Sequence, residues 1–545
     1  MKKKFFAMML AIVFVSTTFS ACNNKTEEKK SATKTEETAK PAENEEPKEK
    51  EEKVSKVYKN TAKMSDFDQA NEKDALKVIK GEDTSTLLID ARTQESFSGW
   101  KLEGAKNGGH LKNALLFSSR WLDCEYSEKA PRDAYLDRAA KDQGIEKDKN
   151  IIIYDYQGKQ SAFVADYLKN KGFNNIKVLK ADKLIDDANN VESNKNFDMF
   201  IPSEIVKNIS DYKTGKTKEL SEDAKSIVGD SIDKVVLVDV GWGNAKASSY
   251  FSQGHVPGAV HINTDSYERP RVYVPEKRSD YAKEWRLISL EQFRDELCPQ
   301  YGINKDSIVI VSGTQNSPQA RIGFMLRSLG VKVYAMSGNL TAWKYNGYEL
   351  DKDENTLVVP NSIDDFGTKE IENPDEILWT NDIKDILTGK KDGQVADNRG
   401  KKEFEGTYTG YNYHDLAGKI ENSIWCPQYS ETEGMYFENI DNTARTQNEL
   451  LKHMKDYNLD TSKTVAFFCG DSWGAARIAY ICQSTGIETI KQWGNGWIPW
   501  SNLGNEFIDH TGKKVHYDKY RDTVVDEKGN DVRDGVNILD DKKQK

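Results

Sequence analysis

The sequence predicts an α/β protein built of three consecutive units, each a parallel sheet flanked by helices on both faces. Three observations carry this. Aliphatic runs that end in Asp recur three times, as Leu87-Leu88-Ile89-Asp90, Val235-Val236-Leu237-Val238-Asp239 and Val395-Ala396-Asp397. A second buried-type run follows each of them after a near-constant interval: 65 residues from Asp90 to Asp155, 73 from Asp239 to Ser312, and 72 from Asp397 to Cys469. Each second run leads through a small-residue loop into an amphipathic helical pattern. Short apolar runs alternating with such helices indicate parallel strands covered on both sides.

The elements can be justified in order. The opening runs are followed by Gly-rich turns: Gly109-His110-Leu111-Lys112-Asn113-Ala114, Gly254-His255-Val256-Pro257-Gly258-Ala259, and the weaker Gly418-Lys419-Ile420-Glu421-Asn422-Ser423. The second runs are Ile151–Tyr154, Ile308–Val311 and Thr464–Phe468. Helices are expected near Ser161–Lys171, Gln319–Leu329 and Ala475–Thr485, with Gly172, Gly330 and Gly486 as their stops. A last strand is expected in each unit at Ile176–Leu179, Val331–Ala335 and Glu488–Gln492. Two opening runs continue as Asp-x-Arg, Asp90-Ala91-Arg92 and Asp397-Asn398-Arg399, whereas the middle one has Gly241 there.

Length and composition bound the function. The chain has 545 residues, a size for about three domains. With 78 Lys+Arg against 88 Asp+Glu the net charge is −10, which argues against an overall basic nucleic-acid binder. Hydrophobic residues are 37%, and a mean hydropathy of −0.74 excludes a multi-span membrane protein. The 11 Trp, 24 Tyr and 20 Phe are enough to build cores. Six scattered cysteines do not make a disulfide scaffold.

The N-terminus reads as an export signal. Lys2, Lys3 and Lys4 precede a mostly apolar run from Phe5 to Phe19, and Phe19-Ser20-Ala21 leads into Cys22. This resembles a bacterial lipoprotein signal, cleaved before Cys22 with a lipid on its sulfur, although Phe19 stands where Leu is usual. The alternative is an ordinary secretory signal with Cys22 incidental. Asn23 to Lys53 holds no Val, Ile, Leu, Phe, Trp or Tyr, so it cannot bury enough surface to offset its ordering entropy. The expected organisation is a signal at 1–21, a Lys/Glu-rich tether at 22–62, units at 63–205, 218–355 and 370–510, and a polar tail at 511–545.

The Asp-x-Arg step, Gly-His-Val-Pro-Gly-Ala, the strand–loop–helix order and the later Gly338-Asn339-Leu340-Thr341-Ala342-Trp343 and Gly494-Asn495-Gly496-Trp497 resemble the rhodanese (sulfurtransferase) family. The resemblance implies three tandem rhodanese-like domains over roughly 65–510. It implies that a cysteine opening the loop after the second strand carries a persulfide. Asp155 and Ser312 hold that position in the first two units, and neither is a sulfur carrier, so those units are expected to be inactive. In the third it is Cys469, followed by Gly470-Asp471-Ser472-Trp473-Gly474.

The chemistry fits a cysteine at that place. The thiolate is the nucleophile, and an unperturbed thiol is only slightly ionised at neutral pH. Loop N–H groups and a helix N-terminus together favour an anion there. The alternative for Cys469 is a small buried hydrophobe. Cys482, inside the following helix, reads as core, and Cys124, Cys298 and Cys426 receive no chemistry.

Gly410-Tyr411-Asn412-Tyr413, Asp441-Asn442-Thr443-Ala444-Arg445 and Trp497-Ile498-Pro499-Trp500-Ser501 resemble a bacterial subgroup of tandem sulfurtransferases with a Cys-Gly-Thr-Gly-Trp-Arg-type loop. By that analogy Arg399 is the anion-binding arginine, or else a structural partner of Asp397. Three departures are evident. Gly474 replaces the loop's arginine, Asp471 adds a negative charge, and Glu405 stands where mercaptopyruvate-using relatives carry a second arginine. Arg477 either compensates from the first helical turn or faces solvent.

A related phosphatase chemistry needs Cys-x5-Arg, but the fifth-plus-one position is Ala475. The seven His residues form no HExxH or CxxC-type metal cluster, and no Gly-rich phosphate fingerprint appears. His255 is expected to bond backbone, and Trp493, Trp497 and Trp500 to form a packed corner. The expected function is therefore an exported, lipid-anchored sulfurtransferase without cofactor or metal, at a bacterial cell surface or in the periplasm. It would move sulfur from a small anionic donor such as thiosulfate to cyanide or a thiol. Substrate binding falls to Arg399, Gly470, Asp471, Ser472, Trp473, Gly474 and Arg477. The alternatives are a catalytically silent surface scaffold, or a persulfide or redox relay with a protein partner. From tandem relatives, the two inactive units are expected to pack beside the third and shape its pocket mouth.

Overall fold

The computed structural model describes residues 57–126, 130–268, 286–411, 414–430 and 432–532. The expected signal, Cys22, nearly all of the expected tether, Asn412, Tyr413 and the last 13 residues lie outside the described residues.

Three five-stranded parallel sheets share one strand order. In chain order within each unit the strands lie first, fifth, fourth, second, third across the sheet. In the first unit these are Asp68–Gln69, Ile176–Lys180, Asn150–Asp155, Thr86–Asp90 and Leu115–Leu116. In the second they are Phe200–Ile201, Lys332–Met336, Ile308–Ser312, Val235–Gly241 and Val260–Asn263. The third has Ile377–Leu378, Ile490–Trp493, Val465–Phe468, Gln394–Asp397 and Ile424–Trp425. The central strands are the aliphatic runs of the sequence, since only they are buried on both faces. The fourth strand is the middle one, and its carboxyl end lies where connections leave to opposite sides, the usual crevice for a ligand.

Two expected boundaries move. Phe200–Ile201 pairs with Ala335 and Met336, so the second unit begins before 205. A two-residue edge strand carries no apolar run that a sequence reading could detect. The segment after 510 is not a separate tail as far as Val532. Lys514–Asp518 pairs antiparallel with Phe507–Ile508 and Thr523–Asp526, and Val515, Tyr517 and Val524 share the core of Trp493, Trp497 and Trp500. Its apolar residues alternate with charged ones, and that half-buried pattern is masked by overall polarity.

The Gly-His turns have a common structural role. His110 bonds the Phe97 carbonyl at 2.8 Å and stacks on that ring, while His255 bonds the Tyr250 carbonyl at 3.0 Å and stacks likewise.

The second and third units merge their cores. Helix Asn316–Ser328 packs on helix Trp473–Ser484, the two helices that follow the equivalent loops. Gly323 makes the close approach possible: a Cβ there would lie 3.0 Å from the Tyr480 ring. The first unit is tied to the third by the Arg120 guanidinium, which bonds Glu95 at 2.9 Å and Asp441 at 2.7 Å with all three groups buried.

Candidate active site

Cys469 immediately follows the middle strand of the third sheet. The carbonyls of Cys469 and Gly470 accept from the N–H groups of Trp497 (2.9 Å) and Ile498 (2.8 Å). With those carbonyls turned to the next helix, the loop can fold back through Ser472, which sits in the left-handed region at φ 67°. The backbone N–H groups of Gly474 and Ala475 then donate toward the Cys469 sulfur.

The other two units show what this cradle does. In the first, Asp155 takes the cysteine's place, and its carboxylate accepts from the N–H of Gly158 and from that of Ser161 at 2.6 Å. Ser161 is the sixth residue after Asp155, as Ala475 is after Cys469. The loop is therefore an anion holder, and in the first unit the chain fills it with its own carboxylate. In the second, the sixth position after Ser312 is Pro318, which has no N–H, and Ser312 donates instead to the Val238 carbonyl at 3.1 Å.

Cys469 is only 6% exposed. Burial, and then the Asp471 carboxylate whose Oδ1 lies 3.9 Å from the sulfur, push its thiol up to about 11. The two loop N–H groups and the Arg321 guanidinium pull the other way. Burial pushes Cys124, which has no such cradle, up to about 12. Cys298, Cys426 and Cys482 are buried with thiols pushed up by desolvation, and Cys482 sits in the core.

The expected binding residues divide. Gly470 lies beneath Tyr411, whose hydroxyl would be 1.9 Å from any Cβ. Asp471 also accepts from the Trp473 N–H at 3.3 Å. The Trp473 indole donates to Glu268 of the second unit at 2.6 Å. Gly474 has no room for a side chain, because Gln428 Oε1 would sit 2.2 Å from its Cβ.

Two expectations are corrected. Arg399 places Nε 3.0 Å and Nη2 2.7 Å from the two Asp397 oxygens, and Nη2 also donates to the Gly418 carbonyl at 2.9 Å. Arg92 repeats this in the first unit, with Asp90 and Gly109, where there is no cysteine. The Asp-x-Arg pair thus ties the strand end to the Gly turn. In the middle unit Asp239 pairs with His261 instead, at 2.9 Å, and that ring also bonds the Gly243 carbonyl at 2.8 Å in the loop just after the strand. Arg477 is held by Gln428 (2.9 Å) and Glu438 (3.0 Å). It faces a cleft of about 610 Å³ between the units, lined also by Thr314, Asn316, Tyr126 and Tyr345, and Cys469 does not line that cleft. Glu405 lies on the surface beside Lys401.

Arg321 of the middle unit stands beside Glu268, whose Oε1 also accepts from the Trp473 indole of the Cys469 loop, and it pulls the Cys469 thiol down less than the two loop amides do. Neither Arg321 nor Glu268 stood out in the sequence. Arg321 sits in a helix whose own loop has lost its nucleophile, and no local motif marks it. Among the described residues no group of His, Cys, Asp and Glu could hold a metal ion.

The three sheets share one strand order, and in each a loop follows the middle strand. Two stretches of the chain, residues 72–182 and 219–346, match the rhodanese-like domain model, and the third unit shares their sheet order. The chain is 23% identical over 416 residues to the thiosulfate sulfurtransferase YnjE of Escherichia coli, covering 76% of this chain and 86% of that protein. Among solved structures, the anaerobic ergothioneine biosynthesis enzyme from Chlorobium limicola, in complex with trimethyl histidine, superposes with a TM-score of 0.64. It is 22% identical and is covered over 97% of its length, against 80% of this chain. EanB, with ergothioneine covalently linked to a persulfide cysteine, gives 0.66 at 20% identity, over 81% of this chain and 99% of that one.

Proposed function

We propose that the protein is an exported sulfurtransferase that carries a sulfane sulfur as a persulfide on Cys469. The observation that supports this most directly is the cradle: the Gly474 and Ala475 amides meet the sulfur where Asp155 holds a carboxylate in the first unit. Amides placed for an anion favour the negatively charged persulfide over the neutral thiol. In the first half-reaction Cys469 gives up its proton and attacks the outer sulfur of thiosulfate. A new S–S bond forms, the bond to sulfite breaks, and sulfite leaves with the electron pair. Cyanide or a thiol then takes the outer sulfur, restoring the cysteine.

The test is incubation with thiosulfate followed by intact mass. A gain of one sulfur that is lost in Cys469→Ser supports the reading. No gain from any donor sinks it in favour of a silent scaffold, and a gain only from another protein's persulfide favours a relay. A cationic acceptor is a second possibility favoured by one observation, the Asp471 carboxylate 3.9 Å from the sulfur. The Chlorobium limicola enzyme holds trimethyl histidine. Offering cyanide and trimethyl histidine to the persulfidated protein separates the two. Anchoring through Cys22 rests on the first 22 residues alone, and absence of radiolabelled fatty acid from the exported protein would refute it.

A further inference from the structure

We propose that the oxyanion of the sulfur donor is received by Arg321, so that the site is shared between the middle and third units. This rests on reading Cys469 as the sulfur acceptor. Arg321 is fully buried on helix Asn316–Ser328, which packs directly on the helix that begins at the Cys469 loop. Through Glu268 it is joined to the Cys469 loop, because the Trp473 indole of that loop donates to the same carboxylate at 2.6 Å. Its Nε lies 2.8 Å from Glu268 Oε1, yet none of its three nitrogens completes a hydrogen bond. The carboxylate is close but out of line with the N–H directions, and the same oxygen accepts from the Trp473 indole.

A guanidinium has five N–H donors, and leaving them unmet in a buried place is costly. A planar fork of this kind matches a sulfonate or carboxylate edge. An ion such as thiosulfate carries both that edge and a sulfur to be attacked. The placement also accounts for Gly474: the positive charge missing from the loop is supplied from the neighbouring helix. The other two arginines near the loop are committed, Arg477 to Gln428 and Glu438, and Arg399 to Asp397 and Gly418. Arg399 keeps one buried Nη1 and Arg477 one buried Nε without a partner, and Arg399 is the rival to be compared.

The experiment follows Cys469 persulfidation in the full chain by rapid quench and intact mass, against thiosulfate and against mercaptopyruvate. Arg321→Lys keeps the charge beside Glu268 but loses the fork. It should raise the half-saturating donor concentration roughly tenfold to a hundredfold. Sulfur release from the preloaded protein to 2-mercaptoethanol, which has no oxyanion, should not change. Glu268→Gln frees Arg321 from its carboxylate neighbour and should tighten donor use. Arg399→Lys should move neither step. An unchanged donor dependence in Arg321→Lys, or a loss confined to Arg399→Lys, overturns the assignment while leaving the Cys469 reading intact. If no variant, wild type included, takes sulfur, calorimetric titration with sulfite still decides: heat that is present in wild type and lost in Arg321→Lys upholds the anion site, and its absence in wild type overturns it.

Discussion

Replacing Asp471 by Asn should make Cys469 more reactive toward a neutral alkylating agent. The carboxylate lies 3.9 Å from the sulfur, and a negative charge there disfavours the thiolate. At about that distance two unit charges interact by about 1 kcal/mol in water and about 4 kcal/mol at the effective dielectric found near protein surfaces. The carboxylate counts for less than burial, and together they lift the thiol from its ordinary 9 to about 11 against the pull of two amides and Arg321. A share of roughly one to two pKa units for Asp471 is consistent with both limits. Asn keeps the side chain's shape and its hydrogen-bond acceptor for the Trp473 N–H. The thiolate fraction near neutral pH should therefore rise about ten- to a hundredfold. The assay is the rate of iodoacetamide modification of Cys469 against pH, read by peptide mass. An apparent pKa that stays at the wild-type value, or rises, in Asp471→Asn would refute the electrostatic account.

Gly474→Ala should lower stability by about 1–3 kcal/mol, because the new methyl meets Gln428 and Asn398 in a filled space. Adding Gln428→Ala should recover most of that loss in chemical denaturation, and no recovery would place the strain elsewhere. His453 is buried, bonds the Pro427 carbonyl at 3.0 Å, and is held down to about 4 chiefly by desolvation. Its folded value lies below the unfolded one, so its contribution is complete above about pH 6.5 and is lost as pH falls toward 4. The full loss is about 3 kcal/mol. Urea midpoints at the two ends of that window should differ for wild type, and His453→Gln should flatten the difference.

Much of the fold was legible because its determinants are local. Ile151–Tyr154, Ile308–Val311 and Val465–Phe468 are strands because an unbroken apolar run can bury both faces, and Gly172, Gly330 and Gly486 all adopt the left-handed φ that ends a helix. Short strands and alternating ones were not legible. Phe200–Ile201 and the alternating Val515/Tyr517 pair carry too little contiguous apolar surface to stand out.

At the site, the place of the nucleophile could be read without coordinates. A strand, a loop and a helix contiguous in the chain put Cys469 beside the amides of Gly474 and Ala475. The spacing of Asp397 and Arg399 already allowed the ion pair that consumes that arginine, but nothing in the spacing chose between it and a ligand. Tertiary packing chose: Asp397 and Gly418 hold Arg399, while the helix that carries Arg321, some 150 residues upstream, packs on the helix that follows the Cys469 loop. Strand, loop and turn follow from neighbours along the backbone. Which charge a buried sulfur feels depends on distance through space and on which donors remain unspent, and only the folded arrangement of the units sets those.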